Sequence, residues 1–281
     1  MDKVDQFESV FRSADKERFH YQRRDIRSVL VVTDLDRGAA PTVEAEVRGV
    51  TSALGDANYV TITGDEFTSP RDLLDVVERQ RPDLIATYRC LHSPAWRWVF
   101  SLGAHVDVLT QATSTPVLLL PHPERETGPL SGRTDRVMAV TDHLSGEQAL
   151  VNAALALVDP GGTLYLSHVE DDAVFKRFMD VIGRVPEIDT DLARERIGAQ
   201  LLKEPSDYIR SVTEELTAGQ VECSVEQVVT MGHHVNEYRT LVEEKRVDLL
   251  VMNTKDEDHS AMHGLAYPLA VELRDVPLLM L

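Results

Sequence analysis

Asp34-Leu35-Asp36 ends the apolar run VLVVTDLD. Two carboxylates two residues apart at a strand end suit phosphoryl transfer, one attacking phosphorus and the other handling the proton. No Lys with an acidic pair follows to hold magnesium, so the pair reads more simply as a strand-to-helix turn. His259 and His263 are four residues apart and share a face if that segment is helical. With Asp256 or Asp258 they form a donor set that zinc or another transition metal accepts; the simpler reading is polar loop residues. Trp96-Arg97-Trp98 offers a stacking platform or a packing patch. Cys90 stands beside Arg89 and near His92, cations that lower a thiol pKa. No strained G-x-S-x-G elbow presents a serine, and no Ser/His/Asp or Cys/His set can be assembled, so no catalytic residue is assigned.

Charge narrows the partners. The 281-residue chain has a net charge of −18: +1 on residues 1–27, −5 on 28–133 and −14 on 134–281. Binding a phosphate backbone needs Lys and Arg to displace counterions, so a nucleic-acid role is not expected. No apolar run reaches the roughly 20 residues of a membrane span. Cys90 and Cys223 lack C-x-x-C spacing and give no disulfide or metal framework. A cytoplasmic location is the expectation.

The elements that must position these residues come as a repeat. VLVVTD (29–34) returns as VMAVTD (137–142), DLIA (83–86) as DLLV (248–251), and TPVLLL (115–120) as VPLLML (276–281), in the same order. Short apolar runs are what strands buried on both sheet faces look like. Helical periodicity fills the gaps at 71–80, 147–158 and 235–245, the second halted by Asp159-Pro160-Gly161-Gly162. Alternating strands and helices imply parallel, right-handed crossovers. The expected fold is α/β, with two tandem Rossmann-like doubly wound domains. Residues 1–27 read as an N-terminal helical arm carrying Val4, Phe7, Val10, Phe11 and Ala14 on one face. Residues 28–121 form a first, abbreviated domain, 122–134 a Pro/Gly-rich linker and 135–281 a complete second domain. The second copy is expected to contain an extra strand at 163–169 and a long polar helical stretch at 170–218 that the first lacks or holds in reduced form.

The run VMAVTDHLSGEQALVNAALALVDPGGTLYLSHVED resembles the opening of a universal stress protein domain. In that family a strand ends in Asp (here Asp142), followed by a Ser-containing turn (Ser145), an Ala-rich helix and a second strand ending in His-Val (His168-Val169). EKRVDLLVMNT and DVPLLML resemble later strands. The resemblance implies a stress-response protein of the cytosol, and a family in which some members bind ATP. It also implies pairing through the last strand. In a tandem chain that pairing would join Pro116–Leu120 to Pro277–Leu281 internally and cover two exposed edges, with a further homodimer open.

Ligands of open parallel sheets bind at the carboxyl ends of strands. In the second copy that crevice would be lined by Thr141, Asp142, Val169, Asn253, Thr254 and Gly264. ATP-binding relatives carry a G-x2-G-x9-G-[S/T] loop, whose glycines admit phosphate to backbone N–H groups. Here NTKDEDHSAMHGL (253–265) lacks the first two glycines, ends in Leu265 and carries Asp256, Glu257 and Asp258. Three carboxylates repel a triphosphate. The first copy keeps Gly103-Ala104 but fills its loop with Tyr88, Trp96 and Trp98. The expectation is a non-catalytic stress-response binding or signalling module, without ATP or another cofactor, whose partner is a small ligand or a protein. The alternatives are a degenerate nucleotide binder with slow ATPase activity and a metal-binding protein.

Overall fold

The computed structural model of the chain describes residues 18–97, 101–125, 128, 130, 132–141, 144–254 and 265–281. Nine strands form one sheet. The first half supplies β1 (Ser28–Val32), β2 (Asn58–Ile62), β3 (Leu84–Tyr88) and β4 (Val117–Leu120). The second supplies β5 (Arg136–Val140), β6 (Thr163–Asp171), β7 (Ser224–Gly232), β8 (Leu249–Met252) and β9 (Leu278–Met280). The order across the sheet is β2-β1-β3-β4-β9-β8-β5-β6-β7. Within each half every pairing is parallel. At the seam β4 meets β9 antiparallel, Leu118 opposite Leu279.

The repeat has a local cause. Asp83, ahead of β3, accepts the backbone N–H groups of Arg27 and Ser28 at 2.9 Å each. Asp248, ahead of β8, accepts the N–H of Arg136 at 3.0 Å. Each Asp pins the start of its half's first strand to the strand beside it. The apolar residues that follow are buried on both sides of the sheet, as the uninterrupted runs require.

Helices cover the sheet: α1 (Ala40–Val50), α2 (Pro70–Gln80), α3 (Ala104–Ala112), α4 (Gln148–Leu155), α5 (Asp172–Ile182), α6 (Thr190–Ala218), α7 (His234–Lys245) and α8 (Ala266–Glu272). Their starts follow capping chemistry. Ser69 and Asp72 form a reciprocal capping box at α2, with Pro70 at its first position. Asp171 and Asp189 cap α5 and α6.

Two expectations change. The segment 163–169 is no extra strand: β6 pairs with β5 as β2 pairs with β1. The unmatched module is α5, α6 and β7. Its edge strand and β2 are half-exposed, so neither shows the buried run that marks the other strands. The helical arm is also corrected where it is described, over 18–27, which is neither helix nor strand. The backbone N–H groups of His20, Tyr21 and Gln22 go to Gln148, Glu215 and Asn152 of the second half rather than to helical carbonyls. Phe19 is buried edge-on against Tyr208 of α6. This strap crosses the second half before the chain enters β1. Residues 4–14, with the proposed apolar face, lie outside the described residues.

Candidate functional site

In a sheet of this topology, each half has a crevice where strand order reverses, between β1 and β3 and between β5 and β8. In the first crevice Thr33 and Asp34 leave β1, facing the Tyr88 end of β3. The Tyr88 hydroxyl donates to the Asp34 carboxylate. The same oxygen lies 2.8 Å from the Thr33 hydroxyl and accepts the Asp34 N–H at 3.2 Å. The other Asp34 carboxylate oxygen accepts the N–H of His92 at 2.6 Å.

The loop after β3 bends hard to make these contacts. Cys90 and His92 both adopt positive φ, 61° and 57°, a left-handed conformation unfavourable for side chains with a Cβ. Gly103 holds the loop from behind: a Cβ there would come 2.7 Å from the Cys90 Cα. The glycine kept from the phosphate-loop pattern therefore packs on the chain's own backbone. Gly64, on the other side, lies against the Asp34 carbonyl, which a Cβ would overlap. Asp36 accepts the N–H groups of Gly38 and Ala39 at 2.8 and 3.0 Å and so caps the turn into α1. Both carboxylates of the Asp34/Asp36 pair are thus engaged by the chain.

Aromatic rings and imidazoles close the first crevice. Phe67 stands edge-on to His92 and His105, with ring centroids 4.9 and 5.6 Å away. His122, after β4, is edge-on to Tyr88 at 5.1 Å. Burial pushes His122 down to about 4 and, with neighbouring His92, lowers His105. Burial, then the Asp34 hydrogen bond, pushes the Tyr88 phenol up. Burial also raises the Cys90 thiol against the pull of Arg89, the opposite of an activated thiol.

The second crevice is bridged differently. Asn253, after β8, donates its side-chain amide to Glu147, at the start of α4, at 2.7 Å. Burial raises the Glu147 carboxyl, and the Asn253 bond opposes the rise. Thr254 gives both its N–H and its hydroxyl to the Leu281 carbonyl, at 3.0 and 2.7 Å. Val169 is core, its N–H donating to the buried Tyr238 hydroxyl. Thr141 is half-buried at the end of β5. Of the six expected lining residues four are described, and these four divide. Thr141 and Asn253 stand at the crevice, Thr254 and Val169 are structural, and Asp142 and Gly264 lie outside the described residues. So do Asp256, His259 and His263, together with the Trp96 side chain and Trp98. Among the described residues no group of three His, Cys, Asp or Glu side chains is placed to hold a metal ion. Glu147 is an addition to the sequence reading, and Tyr88, expected in the loop, instead ends β3. Glu147 has no periodic signal, whereas Tyr88 closes a buried run.

The universal stress protein family model matches residues 133–265. Those residues therefore carry a universal stress protein domain. A likeness of fold extends over most of the molecule. The crystal structure of a universal stress protein from Archaeoglobus fulgidus DSM 4304 superposes with a TM-score of 0.55 at 13% identity, covering 90% of this chain and 95% of that one. A functionally unknown protein from Pseudomonas aeruginosa PAO1 superposes with a TM-score of 0.51 at 13% identity, covering 91% and 92%. At these identities the likeness is one of fold. No curated protein matches the chain. No helix among the described residues is long and apolar enough to cross a membrane.

Proposed function

We propose that this universal stress protein is a non-catalytic binding or signalling module that does not use ATP. The observation that carries this reading is the Asp34 carboxylate, which accepts from the Tyr88 hydroxyl and the His92 N–H. A nucleotide entering the first crevice would have to break both contacts and straighten a loop held by Gly103 against Cys90. Unpairing a charged acceptor costs about 1.5–3 kcal/mol per hydrogen bond before any contact with the ligand forms. In the second crevice Asn253 and Glu147 satisfy each other, and the Thr254 hydroxyl is held by Leu281. These internal contacts support a module that works without ATP, with a small ligand or a protein as its partner.

The test is native mass spectrometry of untagged protein, alone and with millimolar MgATP, backed by equilibrium dialysis. The expected spectrum contains the bare chain at both concentrations. One nucleotide per chain, retained on dialysis, overturns the reading and puts a nucleotide binder in its place.

A further inference from the structure

The first crevice is closed by a line of side chains that meet in turn. The His105 and His92 rings lie 5.5 Å apart. The His92 N–H is held by Asp34, Asp34 by the Tyr88 hydroxyl, and the Tyr88 ring stands edge-on to His122. An imidazole ends the line on either side, and each is arranged to stay neutral. His122 accepts the Glu124 N–H at its Nδ1, 3.2 Å away. A proton added at Nδ1 would turn that hydrogen bond into two opposed donors. His105, at the start of α3, is 7% exposed, and its Nε2 is sealed from water with no hydrogen-bond partner. Protonated there, it would be a buried cation with an unmade bond.

The surroundings act in the same direction. Around His122 burial is the largest influence; Asp34 and Glu124 favour the charged ring, and Arg125 and Arg89 oppose it. Around His105 burial again leads and neighbouring His92 adds to it, against the Thr68 backbone, Asp34 and Asp72. The closed crevice therefore excludes protons that open imidazoles would bind. The segment that would move is strained and lightly fastened. Cys90 and His92 hold positive φ, which such residues keep only where their surroundings impose it. Asp34 holds the His92 end, and the Leu102 carbonyl takes the Cys90 N–H at 2.8 Å. The pairing of β3 with β4 ends at Tyr88 and Leu120, so the loop that follows can leave with the sheet intact.

We infer that loop 89–92 is an acid-operated latch: protonation of His105 and His122 releases it from Asp34 and opens the first crevice while the sheet stays folded. The ligand that works the latch is the proton, and what it uncovers is the Asp34 carboxylate. The latch needs only the closed crevice, so it stands whether or not the chain binds a nucleotide. Once the loop leaves, the imidazoles meet water and titrate near the usual value of about 6.5. Opening is then disfavoured above that pH and gains as the pH falls. From His122 alone, held at about 4 while closed, opening should grow about 20-fold between pH 7 and pH 5.

Cys90 reports the opening, since it is 1% exposed while the loop is in place. In the full chain carrying Cys223→Ser it becomes the sole thiol. It is labelled with a dipyridyl disulfide, which reacts in acid, and the rate is divided by that of a free cysteine derivative at the same pH. The expected ratio rises about 20-fold from pH 7 to pH 5. It should not change below about 1 M urea, because local opening exposes little surface. His122→Gln should remove most of the rise, and His105→Gln added to it the rest. A ratio constant from pH 7 to pH 5 overturns the inference. So does a rise that carries the full urea dependence of global unfolding, or one that survives in the double variant. The first two readings need no histidine variant, so they decide even where a substitution unfolds the chain.

Discussion

The Tyr88 hydroxyl and the Asp34 carboxylate, 54 residues apart in sequence, meet across the first crevice in a direct hydrogen bond. The side chain that a strand end would offer to a ligand is answered by the next strand of the same sheet. The same oxygen of Tyr88 serves Thr33 and the Asp34 backbone, so three groups depend on one phenol.

Tyr88→Phe keeps the ring and removes that oxygen. Asp34 would retain the His92 N–H but lose its other donor in a closed site. A loss of about 1–3 kcal/mol is expected, read as a lower urea midpoint with an unchanged m-value. A stability within error of wild type would show that water replaces the phenol and that the crevice is open.

His122 gives the fold a predictable acid response. Burial pushes its imidazole down to about 4, whereas in the unfolded chain it titrates near 6.5, about the usual value. The unfolded state therefore binds more protons in this window. The contribution is fully present above about pH 6.5 and is lost as the pH falls through about 4. His122→Gln, scanned by urea unfolding at pH 7, 6, 5 and 4, should show a shallower fall than wild type. Parallel curves would mean that the imidazole titrates normally in the folded state.

Phe19 tests the strap. It lies nine residues ahead of β1, yet its ring is buried against Tyr208 in the second half. Phe19→Ala should cost about 3 kcal/mol, the scale for a deleted core aromatic, and lower the melting temperature by several degrees. Unchanged melting would place the strap's residence on the second half among transient states.

The strands pinned by Asp83 and Asp248 were legible because burial on both faces leaves uninterrupted apolar runs, whereas the β4–β9 seam was legible only through the family resemblance. β2 and β7 were not. NYVTI and SVEQVVTMG are edge strands whose side chains meet water, so their apolar residues are diluted by polar ones. The first crevice was legible as a place, since Asp34 ends a buried strand and Tyr88 was expected to fill the loop. Its closed state was not, because it depends on positive φ at Cys90 and His92, which no residue type there advertises. Glu147 was hidden for another reason: its partner Asn253 is 106 residues away, and its role exists only once β5 and β8 are neighbours. The strap at 18–27 lies beyond the apolar spacing of Val4 to Ala14, and its partners are side chains of α4 and α6, distant in sequence.

The antiparallel seam has a geometric consequence. Since β4 and β9 run in opposite directions while each half is internally parallel, the carboxyl ends of the two sets of strands point to opposite rims of one continuous sheet. The chain is Janus-like, with two unlike mouths facing away from each other, one stoppered by a phenol and an amide N–H, the other by a carboxamide.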